Sequence, residues 1–264
     1  MEARVVRISI APVKSLGLVH PEGVELGPGG VLGDRRFWLV DADGRLFDNK
    51  RHGPMMMIRP AWDEATRELS LDFPDGRRVA GTVELGEPVA AVLYGSPHPS
   101  RRVIGPWAEA ISTSVGRPLT LLWSEYQATD RGVTGGTVSI VSRASLERLR
   151  EVAGVDGPVD GRRFRMLFEI DGVAAHAEDE WIGSRVRFGE AEIAVNGDVG
   201  RCAVTSQDPD RGVPDLDTLG TLALYRREGR TEPLPFGVYG AVTTAGRVRV
   251  GDTVARVGTL AGLH

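Results

Sequence analysis

The stretch from residue 33 to residue 44, Gly-Asp-Arg-Arg-Phe-Trp-Leu-Val-Asp-Ala-Asp-Gly, is the part of the chain that best indicates the fold class. An apolar run ends at an Asp-Ala-Asp-Gly turn, which is typical of a β-strand leaving the protein core. Side chains alternate between the two faces of a strand, so Arg35 and Arg36 point to opposite faces. Whichever face is buried, one arginine lies beside aromatic residues. It then needs an anion, which is either Asp34 or Asp41 of the protein or a bound phosphate.

Similar short runs rich in β-branched residues, each bounded by turn residues, recur along the rest of the chain. The 264 residues include 34 Gly and 16 Pro, spread evenly. The sequence therefore predicts a mainly β fold with a few helices. The predicted strands are 4–10, 36–40, 68–73, 185–188, 190–195 and 247–250, and the predicted helices are 105–115, 145–152 and 216–226.

The length allows one large domain or two closely packed ones, since a typical domain has about 100–200 residues. Hydrophobic residues make up 41% of the chain and charged residues 26%, which is typical of a folded globular protein. The segment 126–136 is polar and rich in glycine, so it reads as a loop. We place a domain boundary near it, which gives predicted domains at 1–120 and 121–264.

Charge and cysteine content narrow the class of protein. A net charge of -4 argues against nucleic-acid binding, which needs concentrated positive charge. No apolar run is long enough for a membrane span, and the N-terminal residues do not resemble a signal peptide. The single cysteine cannot form an internal disulfide, which fits a reducing compartment. We therefore expect a cytoplasmic protein.

Several polar residues could bind an anion, and each also has a simpler structural explanation. Lys14 and Ser15 follow the first predicted strand, where an ammonium group and a hydroxyl suit a phosphate, but Lys14 could be a solvated turn residue. Ser142 lies where a strand gives way to a helix, so it could contact a ligand or simply cap the helix. Three arginines, the last of them Arg165, fall within residues 162–165. They could bind an anion or form a solvated basic edge.

Cys202 supplies the only thiol of the chain. A free cysteine is most often a small buried hydrophobic residue, but this one follows a Gly-rich turn and adjoins Arg201. A neighbouring guanidinium group favours the thiolate, which is the form that binds soft metals or attacks electrophiles. The acidic run around His176 could suggest another metal site. We do not predict one there, because metal ligands usually converge from several turns and no second His or Cys cluster is present.

Taken together and in order, these motifs resemble the MOSC superfamily, in the branch that has an N-terminal β-barrel domain and includes amidoxime-reducing proteins and cofactor sulfurases. The resemblance runs nearly from end to end. The matching motifs are Pro-Val-Lys-Ser at 12–15, Gly-Asp-Arg-Arg at 33–36, Arg51 with Pro-Met at 54–55, Ser-Leu at 145–146, Phe-Arg at 164–165, Ala-Glu-Asp-Glu-Trp at 177–181, Arg-Cys at 201–202, Asp-Pro at 208–209, Thr-Leu at 218–219, Tyr-Arg at 225–226, Pro-Phe-Gly at 235–237 and Val-Gly-Asp at 250–252.

The resemblance implies a β-barrel MOSC domain packed on an N-terminal β-barrel-like domain, with a molybdenum–molybdopterin cofactor in the cleft between them. Cys202 would be the molybdenum ligand or, in sulfurase relatives, the persulfide carrier. The cofactor-binding residues that it implies are Lys14, Ser15, Arg35, Arg36, Ser142, Arg165 and Arg201. The chain departs from the family after Arg165, where many relatives have Pro-Asn and this sequence has Met166 and Leu167.

The function implied is that of a molybdenum-dependent reductase that removes oxygen from small N-hydroxylated or related substrates. The sequence has no cysteine cluster for an iron–sulfur centre, so the electrons would come from a separate flavin, haem or iron–sulfur protein. Two alternatives remain. The chain could carry sulfur as a persulfide on Cys202 without molybdenum, or it could bind the cofactor without turnover.

Overall fold

The three-dimensional structure is a computed structural model that describes residues 2–126 and 136–260. Most of the loop predicted at 126–136 lies outside these residues. The three α-helices of the described residues are α1 (Trp107–Val115), α2 (Arg143–Ala153) and α3 (Thr218–Tyr225), and four short 3-10 helices cover Gly53–Met57, Gly161–Phe164, Ala177–Trp181 and Ala203–Ser206. In chain order the strands are β1 (Arg4–Ile8), β2 (Gly23–Gly27), β3 (Gly30–Val31), β4 (Phe37–Val40), β5 (Arg59–Asp63), β6 (Glu68–Asp72), β7 (Arg78–Thr82), β8 (Glu84–Val89), β9 (Val92–Leu93), β10 (Ser96–Pro97), β11 (Ser100–Ile104), β12 (Thr120–Ser124), β13 (Val138–Ser142), β14 (Phe168–Asp171), β15 (Ser184–Phe188), β16 (Ala191–Gly200), β17 (Pro235–Thr244), β18 (Gly246–Arg249) and β19 (Val254–Thr259).

The prediction of a mainly β fold is confirmed. The largest sheet has seven strands in the order β1-β14-β13-β17-β16-β15-β19 and curls into a half-barrel. Its neighbouring strands run antiparallel except β13 and β14, which are parallel and are joined through helix α2. Within the described residues, no helix has the length and hydropathy that crossing a membrane requires.

Strands from the start of the chain pair with the C-terminal half. β1 pairs with β14, and β2 pairs with β18 while also pairing with β3. Their apolar side chains, among them Val5, Ile8 and Leu26, join the core of the large sheet, where Phe168 and Phe188 stack with ring centroids 5.1 Å apart. The first 31 residues therefore add strands to the C-terminal sheets. The boundary near residue 120 stays a prediction.

The N-terminal half is built from a four-stranded sheet, β4-β12-β11-β8, a three-stranded sheet, β5-β6-β7, and the hairpin of β9 and β10. Strand β4 alternates as predicted, since Phe37 and Leu39 pack in one core cluster while Trp38 and Val40 pack in another. The predicted strand is one residue too long at its start, because Arg35 has a left-handed backbone with φ of 51° and interrupts the extended run.

The N-terminal and C-terminal halves are in direct backbone contact at two glycines, Gly53 and Gly212. A Cβ atom at Gly53 would lie 1.8 Å from the carbonyl oxygen of Gly212, and one at Gly212 would lie 2.1 Å from the carbonyl oxygen of Gly53. Nearby, the side-chain amide of Gln207 donates to the carbonyl of Asn49 across 3.1 Å. Any larger residue at either glycine would push the two halves apart.

We expect Gly53→Ala to lower the free energy of unfolding by about 1–3 kcal/mol, the usual cost of overpacking a tight contact. The matched control is Gly27→Ala, where the nearest heavy atom to the new Cβ lies 3.9 Å away. That variant should stay within about 0.5 kcal/mol of the parent. Urea denaturation of the three proteins measures the difference. Equal free energies of unfolding for Gly53→Ala and the parent would show that the backbones at Gly53 and Gly212 can move apart without cost.

Polar groups without partners concentrate around the 3-10 helix Ala177–Trp181. Among the described residues, ten side-chain nitrogen or oxygen atoms are buried without a hydrogen-bond partner, and five of them belong to His176, Glu178, Asp179 and Tyr225. The Glu178 carboxyl is completely buried, and burial raises its pKa. Burial, helped by the charges of Arg226 and Arg148, lowers the pKa of His176 to about 4. The imidazole is therefore neutral in the folded protein at pH 7.

His176 should make the fold sensitive to acid. The unfolded chain takes up a proton on this imidazole near its ordinary pKa of 6.5, whereas the folded chain resists until about pH 4. The stability that neutral His176 provides is thus complete above pH 6.5 and is lost as the pH falls toward 4. We expect the free energy of unfolding of the parent, relative to that of His176→Gln, to decrease as the pH is lowered from 6.5 to 4. Urea denaturation of both proteins at several pH values measures it. Glu178 titrates with the opposite sign but is common to both proteins. A difference that does not change with pH would contradict the assignment.

Candidate functional site

A cavity of about 270 Å³ brings together segments that are far apart in the sequence. Six of the eight predicted site residues lie on its wall, and they come from both halves of the chain. These six are Lys14, Ser15, Arg35, Arg165, Arg201 and Cys202. We call this space the Cys202 cavity.

Cys202 lies two residues after the end of β16, at the N-cap of the 3-10 helix Ala203–Ser206, and it is exposed. Its carbonyl oxygen accepts hydrogen bonds from the backbone N–H and the hydroxyl of Thr205, at 3.0 and 2.9 Å. The carbonyl of Thr205 in turn accepts from the Arg163 guanidinium and from the Thr218 hydroxyl. The backbone at Cys202 is therefore fixed while its thiol remains accessible.

Arg201 lines the cavity, and hydrogen bonds to backbone carbonyl groups hold its side chain. Its guanidinium donates to the carbonyl oxygens of Phe236 and Phe164 and lies over the Phe164 ring. It also contacts the sulfur of Met166. These bonds tie the end of β16 to β17 and to the segment around Phe164. The prediction that Arg201 contacts the cofactor stays a prediction.

Lys14 and Ser15 form the turn that was predicted after β1. The backbone N–H of Lys14 donates to the Phe37 carbonyl at 2.7 Å, and Ser15 has a left-handed backbone with φ of 74°. The Lys14 side chain is only 6% exposed, and its Nζ lies 5.1 Å from the centre of the Tyr94 ring. Lys14 is therefore a buried cation and not a solvated turn residue.

Arg35 is held from two sides. Its Nη1 pairs with the Asp34 carboxylate at 2.5 Å, and its Nη2 donates to the Arg165 carbonyl at 2.8 Å. The structural partner considered from the sequence, Asp34, is thus present, and Arg35 still lines the cavity. Arg165 completes the exchange by donating to the Leu16 carbonyl at 2.7 Å. The two arginines link the Lys14 turn to the segment around Arg165.

Backbone strain gathers at this cavity. Seven non-glycine residues in the described ranges have a left-handed backbone, and four of them line the cavity: Ser15, Arg35, Tyr94 and Arg165. Such conformations cost about 1–3 kcal/mol each and persist where the surrounding contacts enforce them, most often at functional sites. The clustering supports the cavity as the functional site on grounds independent of residue type.

Two predicted residues lie elsewhere. Arg36 turns away from the cavity and lies over the Trp123 ring at 4.1 Å, where burial lowers the pKa of its guanidinium. Ser142 is fully buried as the N-cap of α2, and its hydroxyl accepts from the Ser145 N–H. The capping role that was the alternative for Ser142 is the one that the structure shows. A neighbour in the same stretch, Ser139, lines the cavity instead.

Other cavity residues had not been selected from the sequence. Three of them belong to no recognisable sequence motif, and only the fold brings them to the cavity wall: Asp48, Asn49 and Tyr94. Lys50 and Arg163 did carry a signal, since Lys50 is the second of two lysines and Arg163 belongs to the arginine-rich run at 162–165. Arg163 proves to be a clamp, because it pairs with the Asp215 carboxylate at 2.9 and 3.1 Å.

The departure from the family motif after Arg165 falls partly on this wall. Met166 lines the cavity, whereas the Leu167 side chain points into the core of the large sheet. The Leu167 N–H donates to the Ser139 hydroxyl at 3.0 Å. Residue 167 thus reaches the cavity region through its backbone and not its side chain. Elsewhere, the described residues contain no group of three or more His, Cys, Asp or Glu side chains suited to a metal ion.

The chain is similar in sequence to curated proteins. The mitochondrial amidoxime-reducing component 1 of Xenopus laevis is 26% identical over 289 residues, which cover 95% of this chain and 81% of the relative. The molybdenum cofactor sulfurase of Anopheles gambiae is 31% identical over 271 residues, which cover 89% of this chain but 34% of the sulfurase. The chain thus spans about a third of that longer relative. A solved structure, the YUAD protein from Bacillus subtilis, aligns over 98% of this chain and 97% of its own with a TM-score of 0.46 and 14% identity.

Two family models match in succession. The MOSC N-terminal beta barrel domain matches residues 2–93, and the MOSC domain matches residues 129–255. Together they cover most of the chain, in the order that the sequence motifs predicted. The chain therefore belongs to the MOSC superfamily, in the branch that carries the N-terminal β-barrel domain.

Proposed function

We propose that the Cys202 cavity binds a molybdenum–molybdopterin cofactor and that the chain is a reductase of small N-hydroxylated molecules. The observation that carries this proposal is that the only thiol of the chain and a buried lysine line the same cavity. A thiolate suits a soft metal, and a buried ammonium suits a phosphate. The family relationship supports the same cofactor.

The cavity wall fits the anionic part of such a cofactor. Six cationic side chains line it against one carboxylate, that of Asp48. Lys14, Ser15 and Arg35 would hold the terminal phosphate, since the ammonium brings charge, the hydroxyl a hydrogen bond, and the guanidinium a fixed donor. Arg165 and Ser139 would contact the pterin.

The cavity wall also fits the metal-bearing part. Cys202 is exposed on a backbone that Thr205 and Arg163 hold in place, so its sulfur can reach a ligand without rearrangement of the chain. The cofactor, when bound, would supply a redox metal with an open position for an oxygen-bearing group. The protein would orient it, keep it between the two halves and provide a positive surrounding.

The reaction proposed is the two-electron reduction of an N–OH group. The N–O bond breaks, two electrons and two protons are taken up, and an N–H group and water are formed. The name of the Xenopus relative indicates amidoximes as a substrate class for that protein. We assign the electrons to a partner protein that carries flavin, haem or an iron–sulfur centre.

A second candidate is sulfur transfer through a persulfide on Cys202. It is favoured by the exposed thiol and by the 31% identity to the Anopheles sulfurase. Metal analysis and pterin fluorescence of the purified protein distinguish the two. Stoichiometric molybdenum with pterin supports the reductase, whereas cyanide-labile sulfur without molybdenum supports the carrier.

Replacement of Cys202 tests the metal ligand. Cys202→Ala and Cys202→Ser should both lose molybdenum-dependent reduction of benzamidoxime with dithionite-reduced dye as the electron source. Because the side chain is exposed, the free energy of unfolding should change by no more than about 0.5 kcal/mol. Full reductase activity in either variant would show that the thiol is not the ligand.

Replacement of Lys14 tests the phosphate end. Removing a buried cation from a charge-assisted contact costs about 2–5 kcal/mol, so Lys14→Ala should bind molybdopterin at least about thirtyfold more weakly. The control is Lys50→Ala, which removes the only other lysine, an exposed one on the same wall. Its affinity should fall by no more than about threefold. Titration by pterin fluorescence measures the affinity of both variants. Equal affinities for Lys14→Ala and the parent would show that Lys14 does not bind the phosphate.

A further inference from the structure

A second cavity borders the Cys202 cavity, and the proposed function makes no use of it. Its volume is about 340 Å³, and Arg165 is the one residue that lines both cavities. One wall is formed where the backbone of Gly17 packs on that of Ile58, with the Gly17 N–H donating to the Ile58 carbonyl at 2.8 Å. We call it the Arg59 cavity. Its size lies at the small end of the range for ligand pockets.

Three arginines line the Arg59 cavity, but they differ in how far their charge is compensated. Arg162 is paired with two carboxylates, those of Asp160 and Asp210, through hydrogen bonds of 2.6 to 2.9 Å. Asp210 is the only carboxylate on the cavity wall, and Arg162 holds both of its oxygens. The Asp210 carboxylate therefore offers little repulsion to an incoming anion.

Arg59 is different. Its side chain is exposed, and within residues 2–126 and 136–260 this guanidinium has no hydrogen bond, ion pair or ring contact, although the backbone of Arg59 pairs with that of Asp72. His20, on the same wall, does not add charge at pH 7, because burial lowers the pKa of its imidazole. Arg59 thus adds an uncompensated positive charge to the wall of this cavity. A partnerless guanidinium at a cavity wall is suited to a carboxylate, which it can bind through two parallel hydrogen bonds.

Part of the remaining lining is apolar. It consists of Leu18, Met56, Met57, Pro74 and Pro209. An inorganic anion would leave this surface uncovered, whereas the hydrocarbon part of an organic acid would bury it. Thioether side chains adapt well to flat or irregular apolar groups. The lining therefore favours a ligand with a charged end and an apolar body.

We propose that the Arg59 cavity is a binding site for a small organic carboxylate, with Arg59 on the carboxylate and the methionines on the apolar body. This site is separate from the cofactor and does not depend on the reductase assignment. Because Arg165 also lines the Cys202 cavity and donates to the Leu16 carbonyl, the ligand would sit against the same residue that positions the Lys14 turn.

Isothermal titration of the 264-residue chain with benzoate tests the proposal, with benzamide as the uncharged analogue of the same shape. We expect saturable binding of benzoate and binding of benzamide at least about tenfold weaker, since a charge-assisted pair is lost. Arg59→Gln should weaken benzoate by about tenfold or more. The matched control, Arg256→Gln, removes an exposed arginine on β19 that lines neither cavity, and it should bind benzoate as the parent does.

Benzoate could also bind in the Cys202 cavity, and the Lys14→Ala variant distinguishes that site from the Arg59 cavity. If benzoate affinity falls in Lys14→Ala and not in Arg59→Gln, the carboxylate binds at the Cys202 cavity and the proposal is wrong. Equal affinities for benzoate and benzamide, or no saturable binding of benzoate, would also overturn it. None of these results depends on whether the protein carries molybdenum.

Discussion

Arginine side chains that donate to backbone carbonyl oxygens hold the Cys202 cavity together. Arg35 donates to the carbonyl of Arg165, Arg165 to that of Leu16, and Arg201 to that of Phe236. A charged donor makes a stronger hydrogen bond than a neutral one, so each link can fix a loop that has no regular secondary structure. A carbonyl also carries no net charge. The links therefore join segments from both halves, and of the three arginines Arg35 also pairs with the Asp34 carboxylate.

The strained backbone follows from the same links. Ser15, Arg35 and Arg165 adopt left-handed conformations, and each lies in or beside a segment that these arginines hold in place. The glycine-to-glycine contact between Gly53 and Gly212 adds a further constraint between the halves, because their backbones are already in direct contact. These contacts are all made within the protein, so a ligand would not have to supply the free energy of ordering the cavity walls.

The cavity combines two kinds of chemistry on one wall. An accessible thiol suits a soft metal, while a buried ammonium suits a hard oxyanion. A cofactor with a metal at one end and a phosphate at the other satisfies both. Arg165 extends the arrangement, since it belongs to the wall of the Arg59 cavity as well. A change at Arg165 would therefore alter two cavities and the Lys14 turn together.

The sequence by itself determined the features that depend on near neighbours. Alternation of apolar residues and turn chemistry predicted the β class, strand β4 to within one residue, and all three α-helices, and the motif order predicted the family. Only the tertiary structure decided which side chains meet. Ser142 was selected and Ser139 was not, yet Ser139 reaches the cavity, because orientation depends on which strands pair with β13. Likewise, alternation predicted opposite faces for Arg35 and Arg36, but only the fold shows that Arg35 is the one that lines the cavity. The pairing of β1 and β2 with strands of the C-terminal half comes from long-range backbone hydrogen bonds that local periodicity cannot encode.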